Sequence, residues 1–366
     1  MRRTIVTAVV TAIVTLTTSA SSYAGALAND TARFLAGMPL TPNSPLAKLT
    51  EEQSFHQHSI RFDSFFADLE HQQFEIIRGW SRAHLRSPRS TVYYFFSGPD
   101  FLYADAFFPN ASTYVLNGLE AIGQIPDLTA LPQDMVAQTL DNIERSLSTF
   151  FSASYFVTET MDSDLNKGAV QGVLPILFVF LARSGKTISD VSFVNLDRQG
   201  KLHSSDGRSF KNGATGVKIV FASDSGLLKT LFYFSTNVAD QSNSREAFIQ
   251  FCRQQAPGDS LLKSASYLLH EPKFSRVRNF ILENSSLIVQ DDSGVPIANF
   301  KASKWLLYPF GSYAHPLNIF RKYYQPKLVD LFQKKNPSPL DFGIGYHARY
   351  NKSNLLLAIK ANGTTN

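Results

Sequence analysis

Residues 91–120 constrain the fold more than any other stretch of this chain. Thr91 to Phe96 is a β-branched and aromatic run, and Ser97-Gly98-Pro99-Asp100 is a turn able to open a short helix through Phe108. Pro109-Asn110 stops that helix, and Ser112 to Leu116 is a second strand-like run ending in Asn117-Gly118-Leu119-Glu120. Strand, short helix, strand is the pattern of a parallel crossover unit. Parallel strands must be covered on both faces, so the pattern calls for a sheet with helices on either side.

A second stretch, Ala265 to Ser293, carries the same order of signals. Ser266 to Leu269 reads as a strand, His270-Glu271-Pro272 as a turn, Phe274 to Glu283 as a helix, and Ser286 to Gln290 as a strand running into Asp291-Asp292-Ser293-Gly294. Laid over 92–120 at a constant offset, it pairs Tyr94 with Tyr267, Pro99 with Pro272, Phe101 with Phe274, Phe107 with Phe280 and Ser112 with Ser285. The spacing suggests a duplicated βαβ unit, 92–120 and 265–293.

Around these units the periodicity changes. Phe55, Phe62, Phe65, Phe66, Leu69, Ile76, Ile77 and Trp80 recur at mostly three- or four-residue steps, predicting one long amphipathic helix over 51–86 or two in tandem, ended by Pro88. Residues 133–150 and 168–183 read as further helices. Runs near 190–196, 215–222 and 228–235 read as strands of an antiparallel meander, and Leu355 to Ile359 as a last strand after a short helix near 316–333. The expected fold is therefore α/β or α+β, with a mixed central sheet, helices on both faces and a helical N-terminal region. Residues 25–50, rich in Pro, Ser, Thr and Asn, read as an extended arm, and 51–366 as a single large globular domain.

The first 24 residues have the form of a secretory leader. Met1-Arg2-Arg3 is basic, Ile5 to Leu16 is uncharged and apolar or Thr, and Ser22-Tyr23-Ala24 offers small residues for cleavage. The expectation is export to the periplasm or beyond, with about 342 residues remaining. The Thr-diluted stretch is short of the ~20 residues that a membrane span needs. Gly168 to Ala182, with Gln171 and Pro175 inside it, has the length of a buried core helix, so no stable membrane insertion is expected. The chain has one cysteine, Cys252, on the same helical face as Phe248 and Phe251; it reads as a buried inert thiol, and the fold must hold by its core. Without Arg2 and Arg3 the basic residues number 33 against 30 acidic, which gives no footprint for nucleic acid.

The stretches FSGPDFLYADAFFPNASTYVLNGLE (96–120), SYLLHEPKFSRVRNFIL (266–282), QDDSGVPIANF (290–300) and FGIGY (342–346) resemble a family of exported bacterial proteins. The resemblance implies a bacterial, envelope or secreted origin. It brings no activity, fold or catalytic residue with it.

No Gly-rich phosphate loop, zinc spacing, HExxH or G-x-S-x-G elbow is present, so no cofactor and no metal is expected. Ser97 reads as a helix cap rather than a nucleophile. His56 and His58, two residues apart at a helix start, do not share a face and read as a solvated pair. Arg78, Arg82 and Arg86, at i, i+4 and i+8, do share one and could receive an anionic ligand.

In open parallel sheets, ligands bind beyond the carboxyl ends of the strands. If both crossovers join one sheet, four such loops carry Asp100, Glu120, His270, and Asp291 with Asp292. Carboxylates with one His can act as acid and base, or hold a hard divalent cation through oxygen. The bland readings are that Asp100 caps a helix and that Asp291 and Asp292 form a tight turn whose hydrogen bonds Asn would keep. Exposed rings give the competing signal: Tyr103, Phe107, Phe108, Tyr308, Phe310, Tyr313, Tyr323, Tyr324, Tyr346 and Tyr350 lie in or beside Gly- and Pro-rich turns. Aromatic platforms with nearby carboxylates grip sugars or peptides without chemistry. Two readings stay open. One is an exported protein that binds a small molecule, glycan or protein, with Tyr103, Arg78, Arg82 and Tyr313 as candidate ligand residues. The other is a hydrolase of an envelope glycan or peptide, with Asp100 or Asp291 as base and His270 as acid.

Overall fold

The computed structural model describes residues 25–124, 127–153, 171–205, 213–348 and 353–361. The leader read over 1–24, the start of the 168–183 helix and Tyr350 lie outside them.

The extended-arm reading of 25–50 is corrected: residues 25–35 form a helix, α1, and only 38–46 run without regular structure before a 3-10 turn at Ala47–Glu51. Ala28, Ala32, Phe34, Leu35 and Ala36 are buried, so the helix is held by its apolar face despite the polar composition that follows it. The 51–86 periodicity resolves into two helices in tandem, α2 (Gln53–Leu69) and α3 (Glu75–His84), joined by a π-helical turn at Glu70–Phe74.

The chain then enters the sheet with β1 (Thr91–Tyr94), crosses over through α4 (Phe101–Phe107) and returns as β2 (Thr113–Gly118). After α5 (Gln133–Ala153) and the buried α6 (Leu174–Arg183) come β3 (Thr187–Leu196), β4 (Leu202–Ser204), β5 (Ala214–Ala222) and β6 (Leu228–Ser235). Helix α7 (Asn243–Gln254), β7 (Gly258–Leu262), α8 (Ser275–Asn284) and β8 (Ser285–Gln290) follow, then β9 (Trp305–Gly311), α9 (Pro326–Lys335) and β10 (Asn354–Lys360).

All described strands form one sheet of order β4-β3-β5-β6-β2-β1-β7-β8-β10-β9. Its centre, β6-β2-β1-β7-β8, is parallel, and both flanks are antiparallel. The period-2 alternation divides the core. Val92, Tyr94, Tyr114 and Leu116 face the layer that contains α1 to α6, whereas Tyr93, Phe95 and Val115 face α7 and α8. Cys252 lies in the second layer, 1% exposed, as its helical face requires.

Both proposed crossovers exist and are neighbours, but the constant offset fails at one strand. Ser266 to Leu269 belongs to a 3-10 helix, Ala265–His270, and the first strand of the second unit is Gly258–Leu262. Its polar sequence hid it. Asp259, fully buried, accepts the backbone N–H groups of Leu287 (2.8 Å) and Arg89 (2.6 Å), so a carboxylate serves the strand ends where β7 and β8 shift register.

The β1-to-β2 connection moves one way across the sheet and the β7-to-β8 connection the other. Right-handed crossovers in opposite directions place their helices on opposite faces, and α4 and α8 do lie in the two different layers. The gap between β1 and β7 is thus a topological switch point, where the loops that leave the carboxyl ends diverge.

Candidate functional site

The switch point is built on a buried ion pair. Asp100 caps α4 by accepting the N–H of Tyr103 at 3.3 Å on Oδ1, while its Oδ2 accepts the Tyr94 hydroxyl (2.8 Å) and Lys263 Nζ (2.7 Å). The Asp100 and Lys263 side chains are each 2% exposed. Lys263 Nζ also stands 3.5 Å from the centroid of the Tyr103 ring, within the range in which a desolvated cation gains from a ring face. Burial lowers the pKa of the ammonium, and the charges of Asp100 and Asp291 oppose that shift.

Asp291 and Asp292 leave β8 beside this pair. Asp291 Oδ1 accepts the Ser293 N–H (2.9 Å) and hydroxyl, and Oδ2 accepts the N–H of Ser264 (2.9 Å). Asp292 accepts the Tyr267 hydroxyl and the side-chain amide of Asn354 (2.9 Å). Gly345, at φ +64°, packs so closely that a Cβ there would sit 1.8 Å from Asp291 Oδ2. The Asp291 carboxylate is therefore a turn former, whereas that of Asp292 is held by remote side chains, and both are deeply buried, which an ordinary tight turn does not require.

The hydrogen bonds favour the expectation that Asn preserves the site at 292 and oppose it at 291. At 292 an amide can present its oxygen to Tyr267 and its nitrogen to a flipped Asn354, so Asp292→Asn should cost under about 1 kcal/mol. At 291 both oxygens accept backbone N–H groups, and Asn orphans one of them, at about 1–3 kcal/mol. Chemical denaturation of the two variants at one pH checks this; equal losses would contradict it.

Burial, with the neighbouring Asp292 charge second, pushes the Asp291 carboxyl up to about 6, against the Ser293 and Ser264 donors. The folded state thus favours its protonated form. Stability from this group is complete below the ordinary value of 3.8 and is lost as pH rises through about 6. Asp292→Asn removes the like charge, so the variant should gain on wild type as pH rises from about 4 to about 6. A stability difference that does not change across that window would sink the assignment.

Glu120, from the end of β2, is 4% exposed and accepts the Tyr233 hydroxyl from β6 at 3.0 Å. It faces Gly98, whose absent Cβ would lie 3.5 Å from Glu120 Oε1. His270 stands on the other side, its ring 5.6 Å from that of Tyr267 and 5.1 Å from that of Tyr323. Burial pulls its pKa down to about 4, so it is neutral at neutral pH and lacks the proton that a general acid would give. The loops thus gather Asp100 and Asp291 around Lys263, and Asp292 and His270 around Tyr267. Glu120 is engaged with β6.

Tyr267 is also the base of a ring cluster. Phe320 stacks on it at 4.4 Å, Tyr323 at 5.3 Å and Tyr346 at 6.2 Å, and Phe320 meets Tyr346 at 4.8 Å. Tyr267 is buried, whereas Phe320, Tyr323 and Tyr346 are partly exposed. Glu271 accepts the Tyr323 hydroxyl (2.6 Å) and Lys322 (2.7 Å) at the edge of the cluster.

Other candidate residues lie elsewhere. Tyr103 is fully buried inside the α4 layer and is no surface platform. Tyr313 is 7% exposed, packs on Phe332 and lines a shallow hollow of about 310 Å³ with Pro337 and Pro339. The arginine stripe is broken, because α3 ends at His84 and leaves Arg86 outside it. Arg78 and Arg82 line separate cavities near the amino ends of the strands. The solvated His pair is corrected: His56 is exposed, but His58 is 0% exposed, with Glu144 Oε1 2.7 Å from Nδ1 and the Leu35 carbonyl 2.9 Å from Nε2. The helix turns the two onto different faces.

Sequence reasoning missed Lys263 and Ser264. A lysine directly after two leucines is the available signal, but it needed Gly258–Leu262 to be recognised as a strand. Ser264 takes the turn at φ 62°, ψ −91°, sparsely populated for a residue with a Cβ, and its buried hydroxyl has no partner among the described residues. Among the described residues no group of His, Cys, Asp or Glu could hold a metal ion, and no helix is long and apolar enough to cross a membrane. Comparison with protein-family models, with curated proteins and with solved structures finds no match for this chain.

Proposed function

We propose that this is an exported protein that binds an envelope glycan or peptide at the carboxyl ends of β7 and β8 and does no chemistry on it. The observation that carries the reading is the partly exposed cluster of Phe320, Tyr323 and Tyr346 laid on Tyr267. Ring faces of this kind contribute large apolar contact at low entropic cost, and their hydroxyls and neighbouring Glu271 supply polar contacts. The state of the buried carboxylates supports binding over hydrolysis: Asp100, Asp291 and Asp292 already accept hydrogen bonds from the protein, and His270 is neutral. The leader-like first 24 residues and the resemblance to exported bacterial proteins support the location.

A carboxylate-based hydrolase is the second reading, and one feature near those carboxylates favours chemistry there: the strained turn at Ser264, whose buried hydroxyl has no partner among the described residues. The two readings separate in one experiment. Soluble peptidoglycan fragments, a glycan-only oligosaccharide and the stem peptide alone are titrated while tyrosine fluorescence and product formation are followed. The binding reading expects saturable quenching without turnover, weakened about tenfold or more by Tyr323→Ala or Tyr346→Ala. Turnover that Ser264→Ala abolishes would replace it with the hydrolase, and the absence of saturable binding in every arm would remove both.

A further inference from the structure

At the opposite ends of the strands lies a cavity of about 660 Å³, walled by α2, the π-helical turn, α3, α4, the end of α6 and the β5–β6 hairpin. Four cations line it: Arg78, Arg183, Lys186 and Lys229. Three carboxylates, Glu70, Asp105 and Asp224, share its surface, and a fourth, Asp63, pairs with Arg183, so these charged groups balance. Buried cations need partners, and two of these four are incompletely served.

Arg78 is paired with Glu70, and Lys186 with Asp105 at 3.0 Å. Arg183, its side chain 9% exposed, donates from Nε to the Ala36 carbonyl (2.8 Å) and from Nη1 to Asp63 (2.6 Å). Its guanidinium lies 5.1 Å from the centroid of Phe66, and its buried Nη2 has no hydrogen-bond partner among the described residues. Lys229 is 7% exposed and donates to the Pro109 carbonyl; burial lowers its pKa, and the charges of Asp105 and Asp224 oppose that shift. Among the described residues Arg183 Nη2 is thus a buried donor without an acceptor, and Lys229 holds only a carbonyl at hydrogen-bond distance.

The remaining wall fits an organic substituent. Phe66, Phe74, Leu102 and Leu227 are apolar, and the cavity is far larger than one oxyanion. At the hairpin tip, Leu227 and Leu228 are 68% and 65% exposed, an apolar lip beside the charged floor. The π-helical turn inserts an extra residue between α2 and α3, a departure often found at functional sites, and it carries Glu70 and Phe74 to the wall.

We propose that this cavity binds a phosphoryl group, carried either by a small phosphate monoester or by a phospholipid headgroup. A tetrahedral dianion with several acceptor oxygens can accept from more than one cation at once, whereas a carboxylate offers fewer acceptors and less charge. The site is separate from the ring cluster at the carboxyl ends, and it stands or falls independently of that reading.

The full chain is titrated with glycerol 3-phosphate by calorimetry and, in a second arm, mixed with phosphatidylcholine vesicles with and without phosphatidic acid. Saturable binding is expected in one arm, with a rise in melting temperature or selective co-sedimentation. Lys229→Met should weaken it at least tenfold, and Arg78→Gln, on the facing wall, provides the same test if the first variant fails to fold. Lys301→Gln, an exposed control, should leave it unchanged. Glycerol 3-phosphate binding assigns a soluble ligand, and phosphatidic acid binding alone assigns a lipid headgroup. No saturable binding in either arm, or equal weakening by the control, overturns the proposal.

Discussion

Lys263→Met should destabilise the protein by about 3–5 kcal/mol, because it leaves the Asp100 carboxylate buried without its counter-charge. The asymmetry is what makes the prediction specific. Asp100 also caps α4 through Oδ1 and accepts the Tyr94 hydroxyl on Oδ2; an Asn keeps the cap with its amide oxygen and can donate an N–H to the Tyr94 hydroxyl oxygen instead, while carrying no charge. The double variant Asp100→Asn with Lys263→Met should therefore recover more than half of the loss, since a buried pair replaced as a unit costs far less than a pair broken. Urea denaturation of the two single variants, the double variant and wild type closes the cycle. Strict additivity would mean that Lys263 and Asp100 do not act as a pair, and that the centre of the switch point is misassigned.

Gly345→Ala should cost about 2–4 kcal/mol, from two sources that can be separated. A Cβ at φ +64° carries backbone strain of about 1 kcal/mol. The same Cβ falls 1.8 Å from Asp291 Oδ2, so the carboxylate must move and release the N–H of Ser264, an overpacking cost of about 1–3 kcal/mol. In an Asp291→Ala background the clash is gone, and Gly345→Ala should then cost only the strain. If its cost is the same in both backgrounds, the closing FGIGY stretch does not brace Asp291.

The elements with strong local signals were legible in the sequence. Thr91–Tyr94, Phe101–Phe107 and Thr113–Gly118 follow from a β-branched run, an Asp cap behind Pro, and a second run ending in Asn-Gly, all signals carried within a few residues. The buried helix Leu174–Arg183 and the strands Thr187–Leu196, Ala214–Ala222 and Leu228–Ser235 follow from apolar length and alternation in the same way. The candidate carboxylates were legible because crossover strands end in loops, and loops at carboxyl ends carry polar groups.

What local pattern could not carry was left to the tertiary structure. Gly258–Leu262 has a polar first half, and only its place between β1 and β8, with Asp259 capping its neighbours' N–H groups, makes it a central strand. His58 looks like a surface residue in a polar helix start, and only Glu144, 86 positions away, and the Leu35 carbonyl make it a core residue. Helix α1 is rich in Ala and Leu but runs straight into a Pro-, Ser- and Thr-containing stretch, and burial against its layer holds it. The partners of Asp100, Asp291 and Asp292 were likewise beyond the sequence. Hydrogen bonding is short-ranged in space and indifferent to distance along the chain, so Lys263, Ser264, Gly345 and Asn354 meet these carboxylates only once the two crossovers have been placed side by side.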